Sequence, residues 1–462
     1  MAQEIKLADL VPQVVSAITE LRDSYGDFQV HPSLQADFGK VESVLSELTD
    51  RLDNNFPFFH PNYAGQMLKP PHPVAMAAYI ATMMINPNNH SIDGGPATTQ
   101  MEREVLRDMA RMFGYPEQFL GHLTWSGTTA NLEALWIGRE INPGKAIAHS
   151  SDSHYTHSRM SEVLNVEAIA IRTDSTGRMD LNHLEEVLAT GKVGTVVATL
   201  GTTGLGAVDP LADIIPMARR YGARVHVDTA YGGFFRLISD NHLDAEASRH
   251  YAAIAQSDSV VVDPHKHGLQ PYGCGAVFFS DITLGRYYKH DSPYTYFASE
   301  DLHFGEIQLE CSRAGASAAA LWATLKVFPL TEDGLGQVLL AGRRAATNWF
   351  DLLSESELLH PYQRPELDII AYLPDAPSMS RLDELSHNLF LAAAEGEREN
   401  QVHLATYVVK PEALGSRGFN LENDSAKARI MRSVLMKPEQ EQHVGILHKK
   451  IESITKTLIG KN

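Results

Sequence analysis

The chain has 462 residues, 44% hydrophobic and 21% charged, the composition of an ordinary globular protein too long for one small core. A formal net charge of −18 excludes the basic surface that nucleic acid or an anionic membrane would need, and two cysteines, Cys274 and Cys311, build no disulfide framework. No apolar stretch follows the opening Met1-Ala2-Gln3-Glu4-Ile5-Lys6 and none reaches the roughly 18 residues of a membrane span, so a cytoplasmic chain is expected.

Up to about Asn55 apolar residues recur at helical spacing: Leu10, Val14, Ile18 and Leu21, then Val41, Val44, Leu45 and Leu48. The run Phe56-Pro57-Phe58-Phe59-His60-Pro61-Asn62-Tyr63 is too rich in proline for a helix and reads as an extended arm. From Val74 to Leu330 strands alternate with helices. The strands expected are 146–149, 168–171, 195–200, 223–228, 259–262 and 275–279, with helical patterns over 181–188 and 211–221. That alternation predicts a mostly parallel, doubly wound α/β sheet, with ligands outside the carboxyl ends of its strands. After the helical stretch near Ala316 to Thr324, half-buried strands over 367–372, 402–409 and 428–435 and a helix near Glu439 to Leu458 predict a smaller α+β domain. The resulting division is a helical segment and arm over 1–73, a large domain over 74–330 and a small one over 331–462.

Lys266 stands four residues beyond an apolar β-branched run, in Ser259-Val260-Val261-Val262-Asp263-Pro264-His265-Lys266-His267-Gly268. Lysine is rarely buried unpaired, and a covalent bond to an aldehyde cofactor would account for this one. Asp228 ends another strand, in His226-Val227-Asp228-Thr229-Ala230-Tyr231. An aspartate there either caps a turn or holds a protonated ring nitrogen; Ala230, two residues on, points the same way and leaves room for a flat ring. Trp125-Ser126-Gly127-Thr128-Thr129-Ala130-Asn131 feeds a helix, either as a plain cap or as a phosphate cradle. His149, His154 and His157 crowd one loop, where a structural role, a metal site or, for His154, stacking on a planar cofactor are the options; no accompanying metal-ligand spacing favours the metal. The turn Leu200-Gly201-Thr202-Thr203 offers hydroxyls and close backbone approach. Asp228 and Lys266 lie 38 positions apart, room for a crossover between neighbouring strands.

In this order the set resembles the group II amino-acid decarboxylases, pyridoxal-phosphate enzymes of the aspartate-aminotransferase fold that act on aromatic amino acids, glutamate, aspartate, tyrosine or cysteine sulfinate. The matching stretches are Gly127 to Leu135, Leu200-Gly201-Thr202-Thr203, His226 to Tyr231 and Asp263-Pro264-His265-Lys266, with His60-Pro61 and Arg313-Ala314-Gly315-Ala316 outside them. The resemblance implies a type I fold with a mostly parallel seven-stranded sheet, pyridoxal 5′-phosphate as cofactor and an L-amino acid as substrate. It also implies a homodimer whose site lies at the interface, with 59–70 and 89–96 as contributing segments. By position, Lys266 would be the Schiff-base lysine and Asp228 the partner of the pyridine nitrogen. Ala230 and His154 would sandwich the ring, Gly127, Thr128 and His265 would hold the phosphate, and Thr203 would lie near its polar edge. Tyr294 or Tyr296 would return a proton to Cα. The sequence departs from the pattern at His267, where an aromatic residue or methionine is usual, and at Trp125-Ser126. Rival readings are a carbon–carbon lyase, suggested by Ser312-Arg313-Ala314-Gly315-Ala316, an aldehyde-forming enzyme, an aminotransferase, or a non-catalytic protein of the same fold.

Overall fold

The computed structural model describes residues 4–289 and 307–460. Four helices precede the first strand: α1 (Leu7–Asp23), α2 (Phe38–Leu52), α3 (Pro73–Met83) and α4 (Pro96–Phe113). Asp37 caps α2 by accepting the Lys40 N–H, and Gly114, at φ +76°, ends α4 in the left-handed conformation that glycine adopts without penalty. No residue of α1 or α2 is buried. Between α2 and α3 the proline-rich arm carries no helix; Tyr63 makes a parallel bridge to His403 instead.

The large sheet has seven strands: β1 (Leu120–Thr124), β2 (Ala146–Ser150), β3 (Ala168–Ile171), β4 (Val193–Thr199), β5 (Arg224–Asp228), β6 (Ser259–Val262) and β7 (Gly275–Phe279). Their spatial order is β1-β7-β6-β5-β4-β2-β3. Strands β2 to β6 pair in parallel, while β7 runs antiparallel to both β6 and β1. Parallel strands covered on both faces need continuous apolar runs, and Val260, Val261 and Val262 are wholly buried. The helices α5 (Gly127–Ile141), α6 (Thr156–Val163), α7 (Leu181–Ala189) and α8 (Leu211–Arg220) supply connections. Six of the seven strands follow the apolar pattern of the sequence. The seventh, β1, did not stand out: Leu-Gly-His-Leu-Thr has two large apolar residues and becomes a strand by pairing with β7.

A second sheet, all antiparallel, is ordered β10-β11-β9-β8, from β8 (Leu359–Pro361), β9 (Ile369–Pro374), β10 (Ala405–Val409) and β11 (Ala428–Val434). Helices Gly336–Glu355, Met379–Ala393 and Gln440–Ile459 send Trp349, Leu389 and Leu447 into one core with Ile370 and Tyr372 of β9. Of the strands in this sheet, the three-residue β8, too short to show alternation, escaped the sequence reading, as did the helix Gly336–Glu355.

Candidate active site

The ends of β4 and β5, the turns after β2 and β6 and the first turn of α5 surround a cavity of about 250 Å³. This is where ligands bind in open parallel sheets, outside the carboxyl ends of the strands. Every residue singled out for cofactor or catalysis in the described part of the chain lines it.

Lys266 arrives there because β6 ends at Val262 and the chain turns at once, with the Lys266 N–H donating to the Asp263 carbonyl at 2.9 Å. Its Nζ reaches the cavity and lies 3.2 Å from Asp263 Oδ2. Asp228 is the last residue of β5, the parallel neighbour of β6, and the turn after β6 brings Lys266 into the same cavity. One of its oxygens accepts the Ala230 N–H at 3.0 Å, and the other accepts from His157 Nε2 at 2.8 Å. Burial is the largest influence on Asp228 and pushes its carboxyl up. The His157 bond, the Ala230 N–H and the Lys266 charge together outweigh it and hold the group well below the usual carboxylate range. Asp228 is therefore a buried anion facing the cavity.

His157 belongs to α6 and is fully buried. In the sequence it stood out only as one of three clustered imidazoles; the structure turns it toward Asp228. His154, one helical turn earlier, faces the cavity. Its Nδ1 receives the Thr156 N–H at 3.2 Å and lies 2.7 Å from the Thr156 hydroxyl, which leaves the proton on Nε2. Burial pushes the His154 imidazole below its ordinary value, so a neutral ring borders the space. Ala230 also lines the cavity, and its small side chain leaves room for a planar group.

The first turn of α5 forms another wall. Ser126 caps it by accepting the Thr129 N–H, while helix geometry leaves the N–H groups of Gly127 and Thr128 free to meet an anion. Behind that turn, Asn131 donates to the Gly127 carbonyl at 2.9 Å and is itself held by His226 Nε2 at 2.8 Å. Burial pushes His226 down to about 3, so it is neutral; with Nε2 donating to Asn131, its Nδ1 accepts from Ser259. This line from β6 through β5 to α5 fixes the cradle, and only folding brings its members together. A Cβ on Gly127 would stand 2.6 Å from Asp263 Oδ2, so glycine is required there. His265 sits alongside, its ring 4.8 Å from that of Tyr272 and its buried Nδ1 without a partner among the described residues.

Thr203 reaches the cavity on a loop that two glycines make possible. Gly201, at φ +97°, packs against Gly232, and a Cβ on Gly232 would collide with the Leu200 carbonyl oxygen. Arg432 of β11 donates to the carbonyls of Thr203 and Gly204, tying this loop to the second sheet. His267 points away from the cavity: its Nε2 meets Asp368 Oδ2 at 2.8 Å, and the Tyr231 hydroxyl donates to the other oxygen of the same carboxylate. Tyr294 and Tyr296 lie outside the described residues.

An amine, a buried anion, a neutral imidazole and a free helix end converge on a space of this size. They fit a flat, phosphorylated aldehyde: Lys266 suits the carbonyl carbon, Asp228 a protonated ring nitrogen, and the α5 end the phosphate.

The comparisons agree with this fit. The family model described as the pyridoxal-dependent decarboxylase conserved domain matches residues 29–358. The L-tyrosine decarboxylase of Levilactobacillus brevis is 26% identical over 454 residues, spanning 75% of this chain and 72% of that protein. The aspartate 1-decarboxylase of Aliivibrio fischeri is 29% identical over 358 residues, spanning 68% of this chain and 63% of that protein. The crystal structure of Oryza sativa TDC with PLP and tryptamine superposes with a TM-score of 0.80 at 18% identity, over 99% of this chain and all of that one, a likeness of fold. Mouse CSAD superposes at 0.77 with 22% identity, over 95% and 91% of the two chains. With the family model spanning well over half its length, the chain belongs to the pyridoxal-dependent decarboxylase family and is a carboxy-lyase that works with pyridoxal 5′-phosphate.

Proposed function

We propose that this enzyme converts an L-amino acid to the corresponding amine and carbon dioxide in the cavity between β5, β6 and α5, with Lys266 as the residue that carries the cofactor. The observation behind this is that one cavity holds both the Lys266 amine and Asp228, a carboxylate held well below its usual range at the end of the adjacent strand. Bound there, pyridoxal 5′-phosphate supplies an electron sink for the pair left on Cα when the carboxylate departs. The chain's residues do the rest. Asp228 keeps a proton on the pyridine nitrogen, and His157 keeps Asp228 ionised. His154 and Ala230, which both line the cavity, would enclose the heterocycle. Gly127 and Thr128 bind the phosphate with His265, and Thr203 borders the polar edge. Lys266 Nζ would hold the carbonyl carbon of the cofactor and is the amine that a substrate amine would replace there. Tyr294 and Tyr296 are the proposed proton donors to Cα.

The substrate is proposed to be an aromatic or a small acidic L-amino acid; tyrosine and aspartate decarboxylases stand among the relatives. The enzyme is proposed to act in the cytoplasm as a homodimer. Every residue of α2 is exposed, including Val44, Leu45 and Leu48, and an apolar helix face of that kind asks for a partner. The three-part division at 73/74 and 330/331 belongs to the same proposal.

Borohydride reduction of the loaded protein should leave the cofactor on Lys266, and Lys266→Ala should abolish the label together with carbon dioxide release across a panel of aromatic and acidic amino acids. A label that persists in Lys266→Ala would remove the lysine assignment. Binding of cofactor without carbon dioxide release from any amino acid would favour the carbon–carbon lyase reading.

A further inference from the structure

With Lys266, Asp228 and the end of α5 assigned to the cofactor, the cavity still has an edge with no assigned task. Tyr155 lines the cavity and is 61% exposed, which puts its ring at the opening. That ring stacks on the imidazole of His154, with centroids 4.3 Å apart and planes 33° from parallel. Arg159 follows on α6, and its N–H donates to the Tyr155 carbonyl at 3.1 Å, so the two side chains share one face of the helix. The guanidinium carbon of Arg159 accordingly stands 4.9 Å from the centre of the Tyr155 ring.

Arg159 differs from the other cations around this cavity. Lys266 faces Asp263 at 3.2 Å, and Arg432 donates to the carbonyls of Thr203 and Gly204. Arg159 is exposed and makes no ion pair or side-chain hydrogen bond with any described residue. A guanidinium lying over an aromatic face keeps its N–H edge open, and its planar fork matches a carboxylate in two parallel hydrogen bonds. In a chain of net charge −18, an unpaired cation at the opening attracts locally an anion that the molecule as a whole repels.

Two carboxylates of an amino-acid substrate are candidates for that cation, and the chemistry separates them. The α-carboxylate leaves as uncharged carbon dioxide, so it gives up its negative charge as its bond to Cα breaks. A cation held on it would favour the ground state over the transition state and slow the reaction. A carboxylate on the side chain keeps its charge throughout and is bound without that penalty. An aromatic side chain has no use for the guanidinium. We propose that Arg159, seated on Tyr155 at the cavity opening, binds the side-chain carboxylate of an acidic L-amino acid and selects that class over aromatic ones. The inference rests on the reading of this cavity as the site of amino-acid decarboxylation.

The test measures carbon dioxide release from L-aspartate, L-glutamate and L-tyrosine by the cofactor-loaded full chain, Arg159→Gln and Arg159→Lys. Wild type should favour an acidic substrate. In Arg159→Gln the kcat/KM for that substrate should fall about 10- to 100-fold, the range for a hydrogen bond between charged groups, chiefly through KM. The value for L-tyrosine should stay level, and Arg159→Lys should restore part of the loss. Equal thermal melts and equal cofactor absorbance in the three proteins separate this from a change in folding. Wild type favouring L-tyrosine, or Arg159→Gln lowering all three substrates alike or none of them, would overturn the proposal. Weaker binding of pyridoxal 5′-phosphate by Arg159→Gln with an unchanged substrate ratio would place the guanidinium on the phosphate and overturn it as well. Release from no amino acid by wild type is a separate failure, that of the decarboxylase reading itself.

Discussion

Asp228 shows how a single carboxylate acquires its character from its neighbours. Burial would raise it, and the 2.8 Å bond from His157 with the Ala230 N–H reverses the sign. A group held low is ionised above its shifted value and loses its charge as pH falls through it. His157→Phe removes the bond and leaves the burial, so protonation of Asp228 should set in at higher pH. The acid limb of the pH–rate profile should move upward, and kcat should fall by about 10- to 100-fold, the worth of one hydrogen bond to a charged group. Steady-state rates from pH 4 to pH 9 check both; an unmoved acid limb would show that His157 is only packing. Asp228 was legible from its motif, whereas His157 was not, because residues 157 and 228 lie far apart in the chain and meet only once α6 has packed on the folded sheet.

At the scale of elements, the site depends on loops that approach more closely than ordinary side chains permit. Gly232 lies against the Leu200 carbonyl with no space for a methyl group. Gly232→Ala must push the Thr203 loop aside, and the expected loss of stability is about 1–3 kcal/mol, the range for overpacking, measurable by urea unfolding. A melt equal to wild type would mean that the loop yields freely. The strand leading to Lys266 was plain in the sequence because parallel strands buried on both faces are nearly continuous apolar runs, and the strand ending at Asp228 showed Val225 and Val227 alternating with polar residues. The first turn of α5 was ambiguous, since a phosphate cradle and an ordinary N-cap use the same small residues. Its position at the cavity, with Asn131 and His226 braced behind it, separates the two.

Across the whole molecule, the second sheet reaches into the site from a distance in sequence. Arg432 holds the Thr203 loop by its carbonyls, and Asp368 is shared by Tyr231 and His267. The departure at His267 thus has a place: its ring serves the contact between the two sheets rather than the cavity. The amino-terminal helices have the opposite character, with α2 exposed along its length. Val44→Glu with Leu48→Glu should shift the protein toward monomer and lower its activity, read by light scattering at matched concentrations and by carbon dioxide release. A dimer unaffected by both charges would place the interface elsewhere.

Local chemistry determined a good deal by itself. Apolar runs and turn glycines were enough for the parallel sheet, because each depends on residues near one another in the chain, while the order of Gly127, His154, Asp228 and Lys266 carried the family resemblance that implied the cofactor and the site residues. What only tertiary structure decided are the pairings of distant side chains: His157 with Asp228, His226 with Asn131, Arg432 with the Thr203 loop, and Asp263 with the end of α5. A hydrogen bond or a buried charge depends on distance and on the exclusion of water, and neither exists until the sheet has formed and its helices have closed over it.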